Sequence, residues 1–92
     1  MSTKLDQARQ RIDEIDAAIT QLFETRFELL RDIIEYKIEN RIPILDASRE
    51  EKIIGRNIAL LKDDDIEPYF EDFYRHMIDL SKSFQKAILD EK

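Results

Sequence analysis

The sequence predicts an all-α fold, and three observations lead there. One glycine and two prolines in 92 residues leave too little turn chemistry for hairpins or βα loops. Leu, Ile, Glu, Lys, Arg, Asp and Gln dominate the composition, and most of these favour helix. Apolar residues recur at steps of three and four, not two. The punctuation falls at Arg41-Ile42-Pro43 and at Asp63-Asp64-Asp65-Ile66-Glu67-Pro68, dividing the chain into one long helix and two shorter ones. There is no internal repeat and no low-complexity tract beyond the run of aspartates.

The first helix is expected over about residues 3–39. Thr3-x-x-Asp6 fits a capping box, and no glycine or proline interrupts the chain before Pro43. Its apolar seam runs Leu5, Ala8, Ile12, Ile15, Ile19, Leu22, Leu29, Ile33 and Tyr36, broken once, where Arg26 takes a seam position. A helix of this length is a rod of about 55 Å, whereas a compact monomer of this size is only about 30 Å across. Half of such a rod would carry an apolar stripe with nothing to cover it. The expectation is an obligate, intertwined homodimer of three-helix chains.

Cations mark the same helix. Lys37 follows Arg26 by 11 residues, which is three turns plus about 20°, so both lie on one face about 16 Å apart. Their long side chains can converge on a small anion between them, and a seam guanidinium is costly without a counter-anion. Arg9 precedes Arg26 by 17 residues and points about 100° round the helix. It reaches such an anion more easily from a second, antiparallel chain. The other cations, among them Lys4, Arg11, Arg31, Lys52, Arg56, Lys62, Lys82 and Lys86, read as solvated charges.

The second helix is expected over about 47–62. Asp46 or Ser48 supplies its cap, with Ser48-x-x-Glu51 fitting a capping box, and Ile53, Ile54, Ile58 and Leu61 its apolar face. Capping accounts for Asp46, Ser48 and Glu51 but not for Arg49 and Glu50 in the same turn. The third helix is expected over about 68–90, with Pro68 in its first turn and Phe70, Phe73, Tyr74, Met77, Ile78, Phe84, Ile88 and Leu89 as its stripe. Ser81 and Gln85 stand one turn apart where that stripe calls for apolar residues. Buried there, they need hydrogen-bond partners, from a neighbouring helix or from a ligand. His76 lies off the stripe and reads as a surface residue.

Composition narrows the chemistry. Twenty-one acidic residues against 15 basic ones give a net charge of -6, which argues against nucleic acid or an anionic membrane surface as partner. An anionic ligand must then meet a local basic pocket. No apolar run approaches the roughly 18 residues that cross a bilayer, and residues 1–5 carry no signal-peptide core, so a cytoplasmic protein is expected. With no cysteine and one histidine, neither a disulfide nor a Cys- or His-based zinc site can be built. So short a chain buries only about 60 to 65% of its unfolded surface, and the expected stabiliser is a second chain.

Taken together, Arg9-x3-Asp13-x2-Asp16, Leu22-x3-Arg26, Lys37, Pro43-Ile44-x-Asp46-x2-Arg49-Glu50 and Ser81-x3-Gln85 resemble the all-helical (type II) chorismate mutase family. The likeness holds in order, spacing and total length over essentially the whole chain, 1–92, and no site position departs from it. The resemblance implies a homodimer with two equivalent sites, each completed by the partner's first helix. It implies that Arg9 from the partner and Arg26 hold the side-chain carboxylate of chorismate. Lys37 would contact a carboxylate and the ether oxygen, and Gln85 would donate to that oxygen. Asp46, largely through its backbone, and Glu50 would receive the substrate hydroxyl. Arg49 would support the site and Ser81 would meet the ring carboxylate. No metal or cofactor is implied. Two rivals remain: an isochorismate-pyruvate lyase of the same fold, for which Asp46-x2-Arg49-Glu50 and Ser81 are less suited, and a non-catalytic helical dimerisation or regulatory module, which has no use for cations and amides inside its seams.

Overall fold

The computed structural model describes residues 3–92. Helix α1 spans Lys4–Asn40, α2 spans Ala47–Ile58 and α3 spans Glu67–Glu91, with a short 3-10 turn at Asp64–Ile66. No strand occurs among the described residues, and no helix among them is long and apolar enough to cross a membrane. The chain divides into two compact units, one ending at Leu30 and the other spanning Arg31–Lys92.

In the first unit the start of α1 is closed by a reciprocal capping box. The Asp6 amide donates to Thr3 Oγ1 at 3.0 Å, and the Thr3 amide donates to Asp6 Oδ2 at 3.3 Å, so donors that the helix leaves without carbonyls are answered. The seam positions Leu5, Ala8, Ile12, Ile15, Ile19 and Leu22 are all exposed, Leu22 to 70%. Phe23 and Phe27, one turn apart, stack with centroids 4.5 Å apart.

The predicted seam is not the stripe that α1 buries. Leu29, Ile33 and Tyr36 are exposed like the seam residues before them, while Leu30 and Ile34 are buried and Phe27 and Ile38 half-buried. From residue 27 onward α1 is apolar on two neighbouring stripes, and a three-four spacing fits either one.

The second unit contains the end of α1, both later helices and the buried apolar side chains Ile34, Ile54 and Ile78. Helix α1 stops in a Schellman motif. The Ile42 amide donates to the Lys37 carbonyl at 2.8 Å and the Arg41 amide to the Ile38 carbonyl at 3.3 Å, with Arg41 in the left-handed region at φ 54 and Pro43 preventing continuation. Asp46, not Ser48, caps α2: its Oδ1 accepts from the Arg49 amide at 3.1 Å. Helix α2 ends at Ile58, short of the expected 62. There the chain tightens into turns, with Leu60 and Leu61 amides donating to the Asn57 and Ile58 carbonyls, each at 3.0 Å. Leu60 is exposed and Leu61 half-buried, so Leu61 keeps the apolar pattern going without the helix. Asp63 Oδ1 accepts from the Asp65 amide at 3.0 Å and starts the 3-10 turn, and Pro68 sits in the first turn of α3 where no amide is needed.

Helix α2 packs along α3, fastened by side chains as well as by apolar contact. Arg75 grips Glu51 through two guanidinium nitrogens at 2.9 and 3.2 Å, and Asn57 Nδ2 donates to the Tyr74 hydroxyl at 3.2 Å. The Arg31 guanidinium lies 5.0 Å from the Phe84 ring centroid, so Arg31 is not the purely solvated charge expected of it but a cation–π partner joining α1 to α3.

Arg41 adopts a conformation that costs a side-chain-bearing residue about 1 to 2 kcal/mol, so Arg41→Gly should raise unfolding free energy by about 0.5 to 1 kcal/mol after the added chain entropy, read from the urea midpoint; Arg41→Ala should give no gain. The Arg75 hydrogen bond, and then its charge, hold the Glu51 carboxyl below its ordinary 4.5. A depressed carboxyl contributes stability above its unfolded pKa and loses it as pH falls through the folded value. Wild type should therefore exceed Glu51→Gln in stability near about pH 6, with the gap closing toward about pH 3.

Candidate active site

Three helix segments in the Arg31–Lys92 unit carry most of the predicted site residues. Lys37 is half-buried in the last turn of α1, and its Nζ donates to the Ile44 carbonyl at 3.3 Å. Because the Schellman motif and Pro43 fold the chain back after Asn40, the Ile44 carbonyl comes within reach of a lysine in the preceding turn. That carbonyl holds the ammonium in one place.

Asp46, Arg49 and Glu50 belong to the start of α2. Asp46 is the cap and Arg49 supplies the amide it accepts, so local backbone chemistry orients both. The Glu50 amide donates to the Asp46 carbonyl at 3.1 Å, leaving the side chain to point elsewhere. Its Oε1 receives Lys82 Nζ at 3.0 Å, with the Glu50 side chain 21% exposed. That hydrogen bond is the largest of the influences that hold the Lys82 ammonium above its ordinary range.

Ser81 and Gln85 are the buried polar residues of α3, at 4% and 6% exposure. Ser81 Oγ donates to the Met77 carbonyl at 2.8 Å and Gln85 Nε2 to the Ser81 carbonyl at 3.3 Å. Gln85 Oε1 is buried with no hydrogen-bond partner. A carboxamide carries two N–H hydrogens as well as its acceptor oxygen, so the Ser81 carbonyl leaves part of this group's capacity unused. Native proteins seldom bury such capacity without a use for it.

Arg9 and Arg26 lie in the other unit, on α1. Arg9 is exposed and Arg26 half-buried. In the Arg31–Lys92 unit the structure joins the start of α2 to the Ser81 turn through the Glu50–Lys82 ion pair, and Lys37 to the loop before α2.

A shallow cavity of about 180 Å³ opens between α2 and α3, lined by Glu50, Glu51, Ile54, Arg75, Ile78, Asp79 and Lys82. Glu50 alone is shared with the predicted site; the rest of its wall is made of the ion-paired Glu51, Arg75, Asp79 and Lys82 and the buried Ile54 and Ile78. Sequence reading missed Lys82 altogether, treating it as a solvated charge. Its only signal in the sequence is adjacency to Ser81, because its partner Glu50 lies on another helix.

Residues 8–86 match the family described as chorismate mutase type II. The chain is 35% identical to the chorismate mutase of Methanocaldococcus jannaschii over 92 residues, covering 99% of this chain and 93% of that one. No solved structure matches the chain significantly.

Proposed function

The chain belongs to the chorismate mutase type II family, and from that premise we propose that it converts chorismate to prephenate, a step of phenylalanine and tyrosine biosynthesis. The observation that carries the reading is the buried Ser81–Gln85 pair, two polar side chains where the α3 stripe calls for apolar ones. A packing module would fill those positions with apolar side chains.

The reaction is a Claisen rearrangement: one C–O bond breaks as one C–C bond forms, within a single molecule, with no nucleophile and no proton transfer. The catalyst must hold a flexible dianion in its compact chair-like conformer and stabilise the negative charge that grows on the ether oxygen. Arg26, with Arg9 of a second copy, clamps the side-chain carboxylate through directional donors. Lys37 serves a carboxylate and the ether oxygen, and its tether to the Ile44 carbonyl supports a fixed position for that charge. Gln85 donates to the same oxygen through the N–H that the Ser81 carbonyl does not take. Each such donor is worth about 3 to 4 kcal/mol in the transition state. Asp46 and Glu50 receive the ring hydroxyl, Arg49 supports them, and Ser81 meets the ring carboxylate.

The working unit is a homodimer, intertwined through α1. The support is the exposed apolar stripe from Leu5 to Tyr36 set against four buried apolar side chains, Leu30, Ile34, Ile54 and Ile78, among the described residues. A stripe of that length on water is a surface for a second chain, and the antiparallel pairing of two α1 helices brings Arg9 of one copy toward the anion held by the other.

Purified protein should consume chorismate and leave isochorismate unchanged; the reverse result would establish the lyase, and no turnover of either would leave the packing module. An amide donates at any pH, whereas a glutamate must first be protonated. Gln85→Glu should therefore be active mainly at acidic pH, and Gln85→Leu should lose about 100- to 1,000-fold in kcat at any pH. Mixing Arg9→Ala chains with Gln85→Ala chains should restore about a quarter of wild-type activity, since about half the dimers are mixed and each holds one intact site. No recovery on mixing would place Arg9 in the site of its own chain.

A further inference from the structure

Helix α2 presents two consecutive carboxylates to α3, and the two are paired differently. Glu51 meets Arg75 in a bidentate ion pair whose side chains are 65% and 45% exposed. Glu50 meets Lys82 at 3.0 Å in a pair whose side chains are only 21% and 33% exposed. The first pair already fastens α2 to α3. The second sits one residue from Ser81, on the α3 turn that carries the buried Ser81–Gln85 pair, and engages the carboxylate assigned to the substrate hydroxyl. Lys82 is steadied from its own helix by Asp79 Oδ1 at 3.5 Å.

We propose that Lys82 is a positioning residue for substrate binding: it aims the Glu50 carboxylate and cancels its charge, so that Glu50 accepts the ring hydroxyl without repelling the dianion. The inference rests on the mutase reading above. A carboxylate beside a substrate with two negative charges opposes binding unless a cation compensates it, and in a site partly withdrawn from water that repulsion is weakly screened. With Lys82 at 3.0 Å, Glu50 keeps its strength as an acceptor while the pair is neutral. The hydroxyl is not a reacting group, and its hydrogen bond is the same in ground and transition states. Loss of the lysine therefore acts on KM and leaves kcat alone.

Steady-state kinetics on chorismate, with thermal unfolding of each variant, tests this. Lys82→Met should raise KM about tenfold with kcat within about twofold. Lys82→Arg should restore KM to within about twofold of wild type. In a Glu50→Gln background Lys82→Met should change KM little further, because the carboxylate that Lys82 still faces, Asp79, has a side chain 68% exposed and is screened by water. Arg75→Met serves as the comparison: it should lower the melting temperature and leave KM unchanged. If Lys82→Met does not fold, Lys82→Gln, which keeps a donor and drops the charge, carries the same expectation. An unchanged KM in Lys82→Met overturns the proposal, as does a loss of melting temperature and kcat with no rise in KM, which is the behaviour of a pin between helices. Wild-type protein that leaves chorismate untouched overturns the mutase reading and this inference with it, whereas an active wild type beside an unaffected Lys82→Met overturns this inference alone.

Discussion

Four apolar side chains, Leu30, Ile34, Ile54 and Ile78, are buried among the described residues, while nine large ones along α1 alone remain exposed. That imbalance governs the rest of the molecule. A chain of 92 residues with no cysteine has no cross-link to make up for a thin core. It compensates in two ways: polar fastenings between α2 and α3, and an apolar stripe on α1 that a second copy is proposed to cover. The same long helix that carries this exposed stripe also carries Arg9, Arg26 and Lys37, so in the proposed dimer association and substrate binding draw on one structural element.

The local chemistry that ends and starts helices is reused to place functional groups. The Schellman motif at Asn40 to Ile42 reverses the chain within a few residues and returns the Ile44 carbonyl to Lys37. Asp46 caps α2 with its side chain, which fixes the first turn and with it the direction of Arg49 and Glu50. A cap is worth about 1 kcal/mol to a helix, so a residue in that role is held by stability as well as by any contact with substrate.

Helix α3 accepts an energetic cost for its polar residues. Ser81 and Gln85 occupy buried sites that isoleucine or leucine would fill more favourably, and the Gln85 acceptor goes unanswered. A buried polar group without a partner costs about 1 to 3 kcal/mol. The mutase reading gives a reason for an amide at Gln85, since a donor kept dry is a far stronger stabiliser of developing charge than one in water; that role engages Nε2 and not the Oε1 acceptor. The Glu50–Lys82 pair is a second polar arrangement at the same end of α3, joined to the first through adjacency in the chain.

The sequence by itself determined what depends on near neighbours. Helix identity, the breaks at Pro43 and before Pro68, the Thr3–Asp6 box and the polar interruption of the α3 stripe all arise from contacts within about four residues, which periodicity and capping rules read directly. The candidate site was legible to a similar extent: residue types and spacings single out Arg26, Lys37, Glu50, Ser81 and Gln85 as candidates without coordinates, while the roles proposed for them come from the family resemblance. Tertiary structure decided the remainder. Which of two apolar stripes on α1 is buried, why Leu61 is half-buried outside the helix that ends at Ile58, and the conversion of Arg31 and Lys82 from solvated charges into partners of Phe84 and Glu50 depend on residues brought together from different helices. A helical repeat fixes the angle at which a side chain leaves its own helix, but only packing decides what stands opposite it.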